Sequence, residues 1–175
     1  MRSVWFVLAF VAALAPAASK ALAQPQAKPG PEHDVLKNME GTWDATIKMG
    51  PMESKGTMVF KMSLGGLWLS SHFDGEFAGM KFEGRGMDSY DAAKKKYVSV
   101  WTDSMSTSPM LSEGIYDPST KKMSLEGTGP GQDGKPVKTS MVTEYKDKDT
   151  MISSMSMPGP DGKQAEMMTI TYKRK

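Results

Sequence analysis

Gly41-Thr42-Trp43-Asp44 begins an unbroken series of short alternating segments that runs to Lys175. The segments are joined by Gly- and Asp-containing turns such as Tyr90-Asp91-Ala92-Ala93-Lys94-Lys95-Lys96 and Tyr116-Asp117-Pro118-Ser119-Thr120-Lys121-Lys122. Asp opens such a reversal by accepting nearby backbone amides, and Gly takes the positive φ that a turn needs. A Gly-x-Trp on a first strand followed by hairpin after hairpin is the pattern of an antiparallel sheet closed into a barrel.

Strands read as 42–49, 56–64, 67–76, 80–88, 96–104, 111–116, 122–128, 137–146, 150–157 and 165–173. On the second, Met58, Phe60, Met62 and Leu64 share one face and Val59, Lys61 and Ser63 the other. On the third, Leu67, Leu69, Phe73 and Phe77 oppose Ser70, His72, Asp74 and Glu76. Such alternation fits a sheet with one dry and one wet face. An open sheet of about ten strands would curl or expose long edges, so the expected fold is all-β, an antiparallel up-and-down barrel. A two-sheet sandwich is the alternative.

Upstream of Gly41 the period is different. Residues 1–23 have a basic Arg2, an apolar run from Val4 to Leu14, and Ala21-Leu22-Ala23 as a small-x-small cleavage pattern. They are expected to be a cleaved signal peptide, which makes the mature protein periplasmic or secreted. Residues 24–31 are a Pro-rich flexible linker, and 32–175 form one domain. Val35, Leu36 and Met39 have the spacing of one short amphipathic helix before Gly41. Losing Arg2 and Lys20 with the leader would leave 20 basic against 20 acidic residues, so the precursor's net charge of +2 overstates the mature balance. A neutral chain gives no reason to expect a nucleic-acid or anionic-membrane partner. Cysteine is absent, which removes disulfides, thiol nucleophiles, zinc–thiolate sites and a lipoprotein anchor.

Near-motifs fail on inspection. Gly129-x4-Gly134-Lys135 has Pro136 where a phosphate loop needs Ser or Thr, and Gly84-x-Gly86 has Ser89 in place of a third glycine. Of the two histidines, His33 reads as solvated at the linker–helix junction, and His72 lies beside Asp74 on a polar strand face. The carboxylates Asp74, Glu76, Glu83, Asp88, Asp91, Glu113 and Asp117 read as strand-end and turn residues. Asp103 differs, because Trp101, Asp103 and Met105 share a face. An inward Asp103 must be hydrogen-bonded, paired with a cation such as Arg85, or touching a ligand. The 17 methionines read as adaptable core filler that could line a loosely specific cavity, with thioether binding of Cu(I) as the less favoured reading. Trp43, Trp68, Trp101, Phe60, Phe73, Phe77, Phe82 and Tyr116 would converge inside a barrel, as packing or as the wall of a pocket.

These residues carry a resemblance. Pro31-Glu32-His33, Gly41-Thr42-Trp43-Asp44, Gly65-Gly66-Leu67-Trp68-Leu69, Phe82-Glu83-Gly84-Arg85-Gly86, Tyr90-Asp91, the run 96–107, Gly114-Ile115-Tyr116-Asp117 and Ile170-Thr171-Tyr172-Lys173-Arg174-Lys175 resemble the bacterial domain-of-unknown-function 1579 family. The resemblance implies a lipocalin-like barrel and no settled activity. It also implies closure of the barrel by Trp43 packing against Arg174 or Lys173.

The expected function is non-catalytic binding of a small hydrophobic or amphipathic ligand by Trp43, Trp68, Arg85, Trp101, Asp103 and Tyr116, with no cofactor and no metal. The alternatives are a hydrolase or isomerase using Asp103 with His72 or Arg85, and a solid scaffold that binds another protein.

Overall fold

The structure is a computed structural model that describes residues 27–77, 79–131, 135–159 and 162–175. The expected signal peptide and most of the expected linker lie outside these residues. One helix, α1 (Glu32–Lys37), precedes ten strands: β1 (Gly41–Met49), β2 (Met52–Ser63), β3 (Trp68–Phe77), β4 (Met80–Asp91), β5 (Lys96–Asp103), β6 (Met110–Asp117), β7 (Lys122–Pro130), β8 (Pro136–Asp147), β9 (Thr150–Pro158) and β10 (Gln164–Arg174). Every strand pairs antiparallel with its sequence neighbours, and β10 pairs with β1, so the sheet closes. Closure leaves no free edge for another chain to extend.

The register of closure sets which residues face inward. Trp43 lies opposite Arg174, Ala45 opposite Tyr172 and Ile47 opposite Ile170. Trp43, Ala45 and Ile47 are buried, whereas Asp44 between the first two and Lys48 just after the third are exposed. Met58 and Phe60 of β2 and Leu69 and Phe73 of β3 continue the buried side. Leu64, expected to join them, is instead 66% exposed. It sits at φ 49° in the tight turn that links β2 to β3.

Helix α1 caps one end of the barrel with His33 and Leu36 turned inward. It is shorter than the 32–40 spacing suggests, because residues 38–40 must reverse the chain into β1. Their carbonyls, orphaned at the helix end, find side-chain donors on the first and last strands. Trp43 Nε1 donates to Met39 O at 2.8 Å, and the Arg174 guanidinium donates to Glu40 O and Asn38 O at 2.5 and 2.8 Å. Arg174 Cζ also stands 4.0 Å above the Trp43 ring. The last strand thereby fastens the plug to the first, joining helix, closure and core in one contact set.

His33 corrects the sequence reading. It is 7% exposed, and its ring stands edge-on to Tyr90 with centroids 6.3 Å apart. Its Nδ1 accepts Gly30 N–H at 3.1 Å, which puts the proton of the neutral ring on Nε2. Nε2 is sealed and has no partner among the described residues, a burial that costs about 1–3 kcal/mol. Packing of α1 over the barrel end outweighs that cost.

Candidate functional site

The lumen has two halves. At the helix end it is solid: Trp43, Leu69 and Met151 are at most 1% exposed, and Met58, Phe60, Tyr97, Met123 and Tyr172 pack around them. Further along the axis the inward-facing Trp101, Met141, Met155, Met168 and Ile170 are only half-buried, although the sheet covers their backs. This half is therefore packed less tightly than the helix end. Its floor is aromatic and one wall is sulfur-rich. Met141, Met155 and Met168 stand side by side across β8, β9 and β10. Thioethers make a wall that is apolar, polarizable and free to repack.

Glycines on the opposite wall make the room. A Cβ at Gly84 would overlap the six-membered ring of Trp101, and one at Gly86 would meet Ser71 Oγ and the Trp101 ring. The Gly-x-Gly of β4 thus lets a tryptophan lie flat across two strands inside the barrel; it contacts no phosphate.

The same inward face of β4 carries Asp88 and Tyr90. Asp88 lies between Leu69 of β3 and Ser99 of β5, both of which face the lumen. Its carboxylate is surrounded by protein and is hydrogen-bonded by Ser99, and the surface it keeps belongs to the lumen. Burial disfavours the ionised form and lifts its pKa from 3.8 to about 6, with the Ser99 hydrogen bond partly opposing the shift. Tyr145 and Tyr172 lie near enough that burial first, and then the charge of Asp88, raise both phenols well above their ordinary value. Burial, aided by Glu32, Tyr90 and Tyr116, pushes Tyr97 up to about 12.

All five tyrosines of the chain, Tyr90, Tyr97, Tyr116, Tyr145 and Tyr172, lie at this end of the lumen. Tyr90 meets Tyr97 edge-on at 5.2 Å and Tyr116 meets Tyr145 at 5.8 Å. Tyr97 Oη donates to Glu32 O at 2.9 Å, and Tyr145 Oη contacts Met39 Sδ at 3.4 Å, so α1 is held by the same rings. Tyr90, Tyr97 and Tyr116 also line an open recess of about 330 Å³ between α1 and β4–β6, together with Pro31, Glu32, Val35, Lys95 and Ile115. The tyrosine layer therefore separates the lumen from an opening beside the helix.

The residues picked from sequence divide. Trp101 and Tyr116 face the lumen. Trp43 is sealed in the plug and reaches no open space. Asp103 faces inward at the end of β5, where it accepts Trp101 Nε1 at 3.1 Å and Met105 N–H at 2.9 Å. Trp68 and Arg85 are set aside as lumen contacts, because strand alternation puts them outside. Trp68 pairs with Ser89 and Arg85 with His72, each one residue out of step with the inward Leu69, Gly84 and Gly86. Arg85 and Asp103 share a second, shallower recess of about 270 Å³ with Glu83, Thr102 and Ser104. There Arg85 Nη2 lies 3.7 Å from Glu83, and Glu83 also pairs with Lys81. His72 Nε2 is 2.7 Å from Asp74 on the exposed face. Asp103 is thus engaged with Trp101 and the next turn, and the three residues of the hydrolase reading form no base–orienter pair among their recorded contacts.

Asp88, Tyr145 and Tyr172 are what sequence reasoning missed. The signal for Asp88 was present, since Gly84, Gly86, Asp88 and Tyr90 alternate. The apolar Met87 between them favours the opposite phase and hides it.

The geometry defines a class: a ten-strand up-and-down barrel, plugged by a helix at one end. Within that class, the chain belongs to the family described as a protein of unknown function (DUF1579), whose model matches residues 28–174. No curated protein matches the sequence. The crystal structure of Rv2717c from M. tuberculosis is similar, with a TM-score of 0.60 at 14% identity over 83% of this chain and 98% of that one. A de novo designed fluorescence-activating β-barrel is also similar, with a TM-score of 0.48 at 14% identity over 81% of this chain and 98% of that one. The likeness to Rv2717c shows the fold.

Proposed function

We propose that this protein is an exported, non-catalytic carrier whose less tightly packed half of the barrel is hollow and holds one small amphipathic molecule. The observation that supports this most is the incomplete burial of the inward-phase residues Trp101, Met141, Met155, Met168 and Ile170, an apolar set packed less tightly than the helix end. Burying a ligand there gains about 25 cal/mol per Å² of apolar surface, and a few polar groups suffice to orient it. The tyrosine layer and Asp88 provide those groups. A thermal-shift screen with a lipid and metabolite panel, followed by native mass spectrometry of hits, tests the reading. A one-to-one complex with raised melting temperature supports it; a broad panel that leaves only unshifted, unliganded protein overturns it. Export is checked by N-terminal sequencing of the fractionated protein, with Gln24 as the expected first residue.

A further inference from the structure

We infer that the barrel selects neutral or cationic amphiphiles, whose hydroxyl or amine is received by Asp88 with Ser99, Tyr145 and Tyr172, and that it rejects fatty acids and other anionic amphiphiles. This rests on the carrier reading above and deepens it by naming the head group.

The charged side chains that face inward set the preference. Among the described strand positions on the lumen side, two carry acids, Asp88 and Asp103, and one carries a base, Arg174. Arg174 is not available to a ligand. Its guanidinium lies on the Trp43 ring and donates to the carbonyls of Asn38, Glu40 and Lys148, outside the sealed floor. Arg85 points away from the lumen, next to Glu83. On the strands, Lys48, Lys61, Lys81, Lys138 and Lys173 fall on exposed positions of the outer face. His33 Nε2 is sealed from the lumen as well as from solvent.

A carboxylate brought into this space would therefore find a buried carboxylate and no cation to neutralise it. Like charges at close range in a weakly polar interior repel strongly. An ammonium or hydroxyl would instead donate to Asp88, whose carboxylate has acceptor positions beyond the one that Ser99 uses. Charge-assisted bonds of that kind are about twice as strong as neutral ones. The tyrosine rings around Asp88 add the aromatic faces that favour a cation. Neither burial nor the phenols supply a counter-charge to Asp88.

The test is a head-group series on one chain length: decylamine, 1-decanol and decanoate, each below its micellar concentration, at about pH 7.5. Binding is read by calorimetry and native mass spectrometry on wild-type protein and on Asp88→Asn. The expected result is that decylamine and decanol bind one to one and that decylamine binds at least tenfold tighter than decanoate. In D88N that preference should narrow to about threefold or less, whereas the outer-face variant Asp74→Asn should keep it in full. Decanoate binding as tightly as decylamine to wild type overturns the inference and leaves the carrier reading standing. A preference unchanged in D88N, or lost equally in D74N, overturns the role of Asp88. If no member of the series binds, the carrier reading and the inference fall together. The wild-type ranking decides the point even if D88N folds poorly.

Discussion

Replacing Asp88 with Asn should stabilise the free protein, and the gain should depend on pH. Asn keeps the shape and still accepts from Ser99, but it removes a charge that the folded state holds unpaired. The native pKa of about 6 lies above the ordinary 3.8, so between those values the folded state binds the proton more tightly than the unfolded chain. The stability associated with the protonated acid is fully present below 3.8 and is lost as pH rises through 6. A shift of that size, at about 1.4 kcal/mol per unit, sets the cost of the ionised form at up to about 3 kcal/mol above pH 7. In a domain of this size that corresponds to a melting temperature about 6–12 °C higher for D88N at pH 8. Near pH 4 the two proteins should melt together. Urea and thermal unfolding of both across pH 4–8 provide the measurement. The reasoning fails if D88N is less stable than wild type at pH 8, or if the difference is the same at every pH.

Other outcomes follow from the same contacts. Arg174→Ala should cost about 2–4 kcal/mol in urea unfolding, because the ring contact and donors to three carbonyls are lost together, and Arg174→Lys should recover only part of it. Gly84→Ala should cost about 1–3 kcal/mol and change the tryptophan emission, since the added methyl displaces the Trp101 ring; an unchanged spectrum and stability would show that the ring does not lie on Gly84. His72→Ala and Arg85→Ala should each leave decylamine affinity within about twofold of wild type by calorimetry, as both side chains lie outside the barrel.

The fold was largely legible from local pattern. Met58, Phe60 and Met62 alternate with Val59 and Lys61, the turns are written in Asp and Gly, and each expected strand has a counterpart within a few residues. Bounds moved where pairing extends a strand beyond its pattern, as when Met52 pairs with Met49 across the Gly50-Pro51 turn. The site was much less legible because it depends on phase and on distant contacts. Trp68 and Leu69 are both apolar, so alternation alone does not say which faces inward. The pairing of Leu69 with Asp88 and of Asp88 with Ser99 decides it. His33 is buried by Tyr90 and the barrel end, a contact that no local window contains. Tyr145 and Tyr172 look like ordinary strand residues until the closed sheet brings them to Asp88.

The central claim is that a ligand enters the hollow half of the lumen and touches its sulfur wall. Methyl NMR of methionine-labelled protein tests it directly, with each resonance assigned by Met→Leu substitution. On adding decylamine, the methyls of Met141, Met155 and Met168 should shift together and saturate at one equivalent, while those of the exposed Met80 and Met105 stay in place. Shifts confined to the exposed methionines, with the inner three unmoved, would contradict it.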